Sequence, residues 1–414
     1  MRNLPAILMA LGVAAVAACV ATPVAAQLGV PGLGGAVGNV LGAVDRALDP
    51  IAQATRQAVA GATTLAERRV ARLSDLVRRN RDSIELDDRG SPARKGELLL
   101  LDATDADIAT AQGAGFTLQG RETLGELGIG VVRLGVPHRM PLARAQAVLH
   151  KLLPQATVAP DNIHLPAGSS AGAARGPGAG SAPAIDTQVG LIDGGVGSGA
   201  AAGPVRGFVT GAPRASDHGS ATASLLRSAG VRRIAVADVY GDDPAGGNAL
   251  AISRALDWLI GIRARVISIS LVGPRNPLLG QAIAAARRRG ALIVAAVGND
   301  GPAAPSAYPA SYPGVIAVTG VDGDNRALLE AGRALHLDYA APGADMVAAN
   351  AAGKWVRVRG TSYAAPLVAA RAAALASGDN TIAALDREAV DLGRKGPDPT
   401  YGRGLVCGLC RRSE

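Results

Sequence analysis

Short, nearly continuous apolar runs recur through the second half of the chain. Five of them are bounded by turn residues: Val189–Ile192, Ile234–Tyr240, Val266–Leu271, Leu292–Val297 and Val315–Val321. Runs of this length are typical of strands buried on both faces. Helical patterns at 247–261 and 276–290 separate several of them. The pattern predicts an α/β fold with three layers, a mainly parallel sheet covered by helices on both faces.

Residues 95–165 have a different pattern, with shorter strands and helices in the order β-α-β-β-α-β. The predicted elements are strand 97–101, helix 105–114, strands 116–121 and 128–134, helix 142–153 and strand 156–160. This order predicts a small α+β module of the ferredoxin-like kind; the alternative is an unrelated small domain. Residues 166–186 are rich in Gly, Ala, Ser and Pro, which predicts a flexible, cleavable linker.

The segment Gly360–Pro366 carries the first candidate chemistry. A short alternating strand leads into it, and a long alanine-rich apolar segment follows it. This context places Ser362 at the mouth of a helix, after a glycine that lets the backbone turn. A hydroxyl there feels the positive end of the helix dipole and suits a nucleophile. The plain alternative is a helix cap.

A serine nucleophile needs an imidazole and a carboxylate. Of five histidines, His218 lies in a loop that enters a small-residue helix, and Asp193 ends the first apolar run. Asn299 follows the fourth run. Ligands of open parallel sheets bind beyond the carboxyl ends of the strands, so we expect these side chains at one edge. The alternatives are a structural histidine, a strand-ending aspartate and an asparagine in a turn.

Together these segments resemble the subtilisin-like serine peptidases over roughly residues 187–406. That family carries a catalytic triad in the chain order Asp, His, Ser. Gly360-Thr361-Ser362-Tyr363-Ala364-Ala365-Pro366 fits the family's Gly-Thr-Ser-x-Ala-x-Pro pattern throughout. Further landmarks match in order: 270–274, 295–301, 308–310, 341–343 and 401–406.

The resemblance implies a role for each matched residue. Ser362 would be the nucleophile, His218 the base and Asp193 its orienter, with Asn299 donating to the oxyanion. The substrate-binding strand would comprise Ser270, Leu271, Val272 and Gly273. Two departures stand out. Gly194 replaces a customary Ser or Thr after the aspartate, and Val272 replaces a customary glycine, which would narrow the pocket toward small side chains. No cofactor or metal is expected; calcium is the alternative left open, although the sequence offers no support for it.

The flanking segments indicate an exported precursor. Residues 1–26 have the charge, apolar core and small-residue cleavage site of a secretory signal. This predicts a secreted or periplasmic protein; the alternative is a lipid-anchored envelope protein, with a membrane tether through Cys19. Residues 27–94 form a helical, low-complexity region without an assigned role, and 95–165 resemble the family's propeptide. In the tail, 407–414, Cys407 and Cys410 suggest a local disulfide or two thiols.

The amino-acid composition limits the classes of molecule that this protein is expected to bind. The formal charge is +8, but aromatic residues make up only 2% of the chain, so stacking surfaces for nucleic acid are scarce and no nucleic-acid partner is expected. We expect polypeptide substrates and the chain's own propeptide as partners. The sequence thus predicts an exported serine endopeptidase, made as a self-inhibited precursor. The alternative is an inactive peptidase fold that binds peptides or envelope partners.

Overall fold

A computed structural model of the protein describes residues 61–176, 182–197, 200, 203–376 and 380–411. The predicted signal segment and Cys19 lie outside the described residues. Over the described part of the chain, no helix is both long enough and apolar enough to cross a membrane.

The N-terminal module has the predicted β-α-β-β-α-β order, preceded by a helix and a short strand. Its elements are α1 (61–79), β1 (Ile84–Leu86), β2 (Pro92–Leu101), α2 (Asp105–Gly113), β3 (Thr117–Leu124), β4 (Ile129–Gly135), α3 (Leu142–Leu152) and β5 (Thr157–Asn162). The central strand β2 pairs antiparallel with β4 and β5, and β3 pairs with β4. This is the ferredoxin-like arrangement that the pattern predicts.

The leucine run in β2 is apolar on both sides because both faces of this sheet are covered. Leu98 and Leu100 pack with α2 and α3 in the module's own core. Leu99 and Leu101 point the other way and join the core of the larger sheet's helical layer. Since successive strand residues face opposite sides, a strand buried on both faces must be continuously apolar.

The larger unit is built from the remaining elements. They are β6 (Leu165–Pro166), β7 (Ser169–Ala173), β8 (Val189–Asp193), β9 (Val205–Gly207), α4 (Asp217–Ser228), β10 (Ile234–Asp238), α5 (Ala249–Gly261), β11 (Val266–Ile269), β12 (Leu271–Val272), α6 (Pro277–Arg288), β13 (Leu292–Ala296), β14 (Ile316–Val321), β15 (Tyr339–Pro342), β16 (Met346–Ala349), β17 (Trp355–Arg359), α7 (Thr361–Leu375) and α8 (Thr381–Glu388).

Seven strands form a parallel sheet in the order β15-β14-β13-β11-β8-β10-β9. The five predicted strands all belong to it. Helices α5 and α6 pack on one face, and α4 and α7 on the other, each face with its own core. The predicted three-layer α/β/α fold is therefore confirmed.

Two segments differ in detail from the sequence-based expectation. Residues 169–173, which the sequence assigns to a flexible linker, form β7 and pair antiparallel with β17. Leu165–Pro166, at the boundary between the predicted small module and that linker, pairs antiparallel with β12. Near the end of the chain, Cys407 and Cys410 form a disulfide, one of the two alternatives that the sequence left open.

Candidate active site

Three elements from different parts of the fold bring Asp193, His218 and Ser362 together. Asp193 ends β8, His218 is the second residue of α4, and Ser362 is the second residue of α7. His218 Nδ1 lies 2.9 Å from each carboxylate oxygen of Asp193. On the other side of the ring, Nε2 lies 3.0 Å from Ser362 Oγ. The arrangement lets the imidazole accept a proton from the hydroxyl while the carboxylate holds its orientation.

The Asp193 carboxylate is only 1% exposed, so its charge needs several partners. Besides His218, the Gly194 amide donates to Oδ1 at 2.7 Å, and the Thr222 hydroxyl, which also contacts two carbonyl oxygens of its own helix, lies 3.3 Å from Oδ2. These donors hold the carboxylate facing the imidazole.

The space beside Gly194 explains the departure seen in the sequence. A Cβ atom on Gly194 would lie 2.8 Å from Ser216 Cβ and would also overlap the Ser216 hydroxyl. Ser216 caps α4, accepting from the Gly219 amide at 3.0 Å, and its hydroxyl also donates to the Gly195 carbonyl at 3.3 Å. The Ser216 hydroxyl thus links this turn to the helix that carries His218. In the family pattern the hydroxyl belongs instead to the residue after the aspartate, which is Gly194 in this chain.

Two donors converge on one carbonyl oxygen beside Ser362. The Asn299 side chain donates from Nδ2 to the Ala167 carbonyl at 2.5 Å, and the Ser362 amide donates to the same oxygen at 3.0 Å. The Thr361 amide donates to Asn299 Oδ1 at 3.0 Å, which fixes the direction of the Asn299 amide group. Two aligned donors are what an oxyanion hole requires.

The turn before Ser362 depends on Gly360. Its φ is +138°, a conformation that favours glycine, and a Cβ atom there would come 2.5 Å from Asn299 Nδ2. A larger residue would therefore displace the Asn299 amide group. Gly360 is also the residue directly before α7, and its lack of a side chain leaves room for the Asn299 amide group.

The cleft is occupied by the chain's own residues 165–167. Leu165 and Pro166 pair with Val272 and Leu271 as an antiparallel strand, and the Ala167 amide donates to the Ser270 carbonyl at 3.2 Å. The Ala167 carbonyl oxygen contacts Ser362 Oγ. A Cβ atom on Gly168 would overlap that same hydroxyl. The bond between Ala167 and Gly168 therefore lies at the candidate nucleophile.

All four predicted substrate-binding residues border this occupied cleft. The Ser270 hydroxyl donates to the Ser362 carbonyl at 2.8 Å, so it also holds the start of α7. Val272 reaches across to the Asn299 segment: a Cβ atom on Gly298 would lie 3.1 Å from Val272 Cγ1. The valine thus fills space between these two segments. Gly273 forms the surface against which the imidazole of His164 packs.

His164 is fully buried in the same cleft. Its Nδ1 lies 3.3 Å from the Asn162 carbonyl, and its Nε2 has no hydrogen-bond partner. Burial disfavours the charged imidazolium and lowers the pKa of His164 to about 4. The cleft therefore holds this histidine in its neutral form.

Sequence reasoning did not find Ser216, His164 or Ala167 as parts of the site. Ser216 could have been found from its position, because a serine directly before the first turn of a helix is a typical N-cap. His164 and Ala167 carry no local motif, since only the fold brings them into the cleft. Among the described residues, no group of three or more His, Cys, Asp or Glu could hold a metal ion.

Comparisons with known proteins give the family independently of this geometry. A family model described as the subtilase family matches residues 208–404, which include His218 and Ser362. The Minor extracellular protease Epr of Bacillus subtilis (strain 168) is 31% identical over 172 residues, covering 40% of this chain and 27% of Epr. The matched segment thus spans about a quarter of the length of that relative.

Two further matches extend the comparison. The crystal structure of fervidolysin, a keratinolytic enzyme from Fervidobacterium pennivorans, has a TM-score of 0.63 at 18% identity, covering 78% of this chain and 61% of that one, and so shares the fold. Subtilisin amylosacchariticus from Bacillus subtilis subsp. amylosacchariticus is 30% identical over 256 residues, covering 54% of this chain and 67% of that protein. This chain therefore belongs to the subtilase family of serine peptidases.

Proposed function

We propose that this chain is an exported serine endopeptidase, made as a precursor that cuts its own Ala167–Gly168 bond and is then inhibited by the released N-terminal segment. The single observation that carries the proposal is the Ala167 carbonyl, which accepts from Asn299 Nδ2 and the Ser362 amide while it contacts Ser362 Oγ. A carbonyl with this set of neighbours is oriented as a substrate.

Each residue of the site has a distinct role in this reaction. Ser362 Oγ attacks the Ala167 carbonyl carbon as His218 Nε2 takes the hydroxyl proton. The oxyanion is stabilised by Asn299 and the Ser362 amide. The C–N bond then breaks, the proton passes from His218 to the Gly168 nitrogen, and Ala167 remains as an acyl ester on Ser362. Water, deprotonated by His218, hydrolyses the ester and restores the hydroxyl.

Inhibition after the cut follows from the same contacts. The new carboxyl end at Ala167 keeps its pairing with β12, and one face of the N-terminal module packs in a shared core with α5 and α6. Polypeptide substrates would bind as the same antiparallel strand once this segment leaves. Export is supported by the signal-like residues 1–26 and by the extracellular protease among the relatives.

The test compares the full-length precursor with its Ser362→Ala variant. We expect wild type to yield a fragment that begins at Gly168, with a half-time independent of protein concentration, because nucleophile and bond share one chain. Ser362→Ala should stay uncut and resist fluorophosphonate labelling. Mass spectrometry and active-site labelling measure both.

The matched control is Ser268→Ala. Ser268 is also a buried serine, but its hydroxyl has no hydrogen-bond partner. This variant should process like wild type. A Ser362→Ala precursor that matures normally would refute the assignment. A folded wild type that neither labels nor cuts would favour the alternative, an inactive peptidase fold that binds peptides.

A further inference from the structure

Helix α1 (61–79) takes no part in the chemistry, yet it contacts the peptidase beside the active site. Its sequence is strongly charged, and local patterns assign no role to it. Two of its contacts with the rest of the described chain adjoin the occupied cleft.

The first contact is an ion-pair cluster next to the oxyanion donor. Arg72 donates to both carboxylate oxygens of Asp300, at 2.8 and 3.0 Å, and Arg69 Nε lies 3.3 Å from the same carboxylate. Asp300 directly follows Asn299 in the chain, and its side chain is 24% exposed. Two arginines on one partly buried carboxylate make a stronger contact than an isolated surface pair.

An apolar contact supports the same end of the helix. Leu65 lies against Gly301, where an added Cβ atom would come 2.8 Å from Leu65 Cδ1. A side chain larger than hydrogen at this position would push the helix away. The loop 299–301 thus presents one carboxylate and one flat glycine surface to α1.

The second contact joins α1 to the segment that fills the cleft. Leu76 and Val77 pack against a small cluster of Ile84, Ile163 and Ala245, which Leu165 also contacts. At 1.5 Å per residue, Leu65 and Leu76 lie about 16 Å apart along the helix. The helix therefore bridges the loop beside Asn299 and the chain just before the Ala167–Gly168 bond.

We propose that α1 is a strap that holds the cleaved N-terminal segment in the cleft, and that Asp300 and Gly301 are its docking site on the mature enzyme. This inference rests on the proposed function and specifies how its inhibition is prolonged. Once the Ala167–Gly168 bond is cut, dissociation of the segment must also break the two arginine contacts. The latent period before activity should therefore depend on salt, since ionic strength weakens the pairs.

The test uses the full-length precursor with Arg69→Ala and Arg72→Ala together. Arginine and alanine have similar helix propensities, so the helix itself should persist. We expect the lag between self-cleavage and activity on a peptide substrate to shorten about fivefold at low salt. At about 1 M salt the variant and wild type should converge.

The matched control is Arg78→Ala with Arg79→Ala. These arginines lie on the same helix and pair with Asp75 of that helix, so the same charge is removed without touching the peptidase. The control should keep the wild-type lag. Adding Asp300→Asn to the Arg69→Ala, Arg72→Ala variant should shorten the lag no further, because the contact is already lost.

A second measurement needs no activity. In the uncut Ser362→Ala precursor, amide hydrogen exchange across α1 should be faster with Arg69→Ala and Arg72→Ala than with the control pair. Equal lags and equal exchange in the two double variants would overturn the strap. Failure of the proposed function itself looks different: wild type then neither cuts nor becomes active at any time.

Discussion

We expect Val272 to limit the size of the pocket that receives the side chain before the cut bond. The family pattern has a glycine here, and in this chain Val272 Cγ1 lies 3.1 Å from where a Cβ atom of Gly298 would be. The pocket between these two segments is therefore filled by the valine itself. The residue before the Ala167–Gly168 bond is itself an alanine, whose single methyl group is the size of side chain that a narrowed pocket would favour.

Val272→Gly removes three carbon atoms from that pocket. A leucine before the cut bond has three more carbons than an alanine, so the space released matches the atoms to be added. Burying each carbon contributes about 0.8 kcal/mol, which amounts to roughly 2.4 kcal/mol for leucine over alanine. At about 1.4 kcal/mol for each factor of ten, the ratio of kcat/KM for leucine over alanine should rise by roughly 50-fold.

The assay uses the mature enzyme and two chromogenic peptides, His-Leu-Pro-Ala and His-Leu-Pro-Leu amides, which copy the occupying segment. Val272→Ala should give an intermediate ratio. Val390→Gly makes the same substitution at an exposed valine outside the cleft and should leave the ratio unchanged. If Val272→Gly lowers kcat/KM for both peptides equally, the pocket does not select by size and the reasoning is wrong.

Two further predictions concern the same cleft. Asn299→Ala removes one of two oxyanion donors and should lower kcat by about 10²–10³ with little change in KM, the range known for the equivalent change in subtilisin; a KM effect with unchanged kcat would contradict this role. The pKa of His164 is about 4 in the cleft and about 6.5 in a free chain, so the contribution of His164 to the stability of the inhibited complex is fully present above pH 6.5 and is lost as the pH falls toward 4. His164→Leu should remove this acid-dependent part of activation, measured as activity released between pH 4 and 8. Burial raises the pKa of Asp161 to about 7, which gives the opposite slope, but it is common to both proteins and cancels in the difference between their curves. Identical curves would show that His164 does not control release.

The sequence alone identified the strands of the sheet and the order of the candidate catalytic residues along the chain. Residues 189–192 and 292–296 are apolar on both faces because both faces are covered, and such runs identify buried strands without knowledge of their neighbours. Asp193 and Asn299 follow such strands, and Ser362 follows a glycine at a helix start. Local patterns could place these residues because burial and backbone conformation are encoded over a few positions.

Only the tertiary structure decided what surrounds them. The Ser216 hydroxyl links the turn after Asp193 to α4. Ala167 lies in the cleft, although it comes 195 residues before the serine that it contacts. Arg72 reaches Asp300 across 228 residues. Such contacts depend on how whole layers pack, and a sequence pattern with a period of two or 3.6 residues holds no information about which distant surface it will meet.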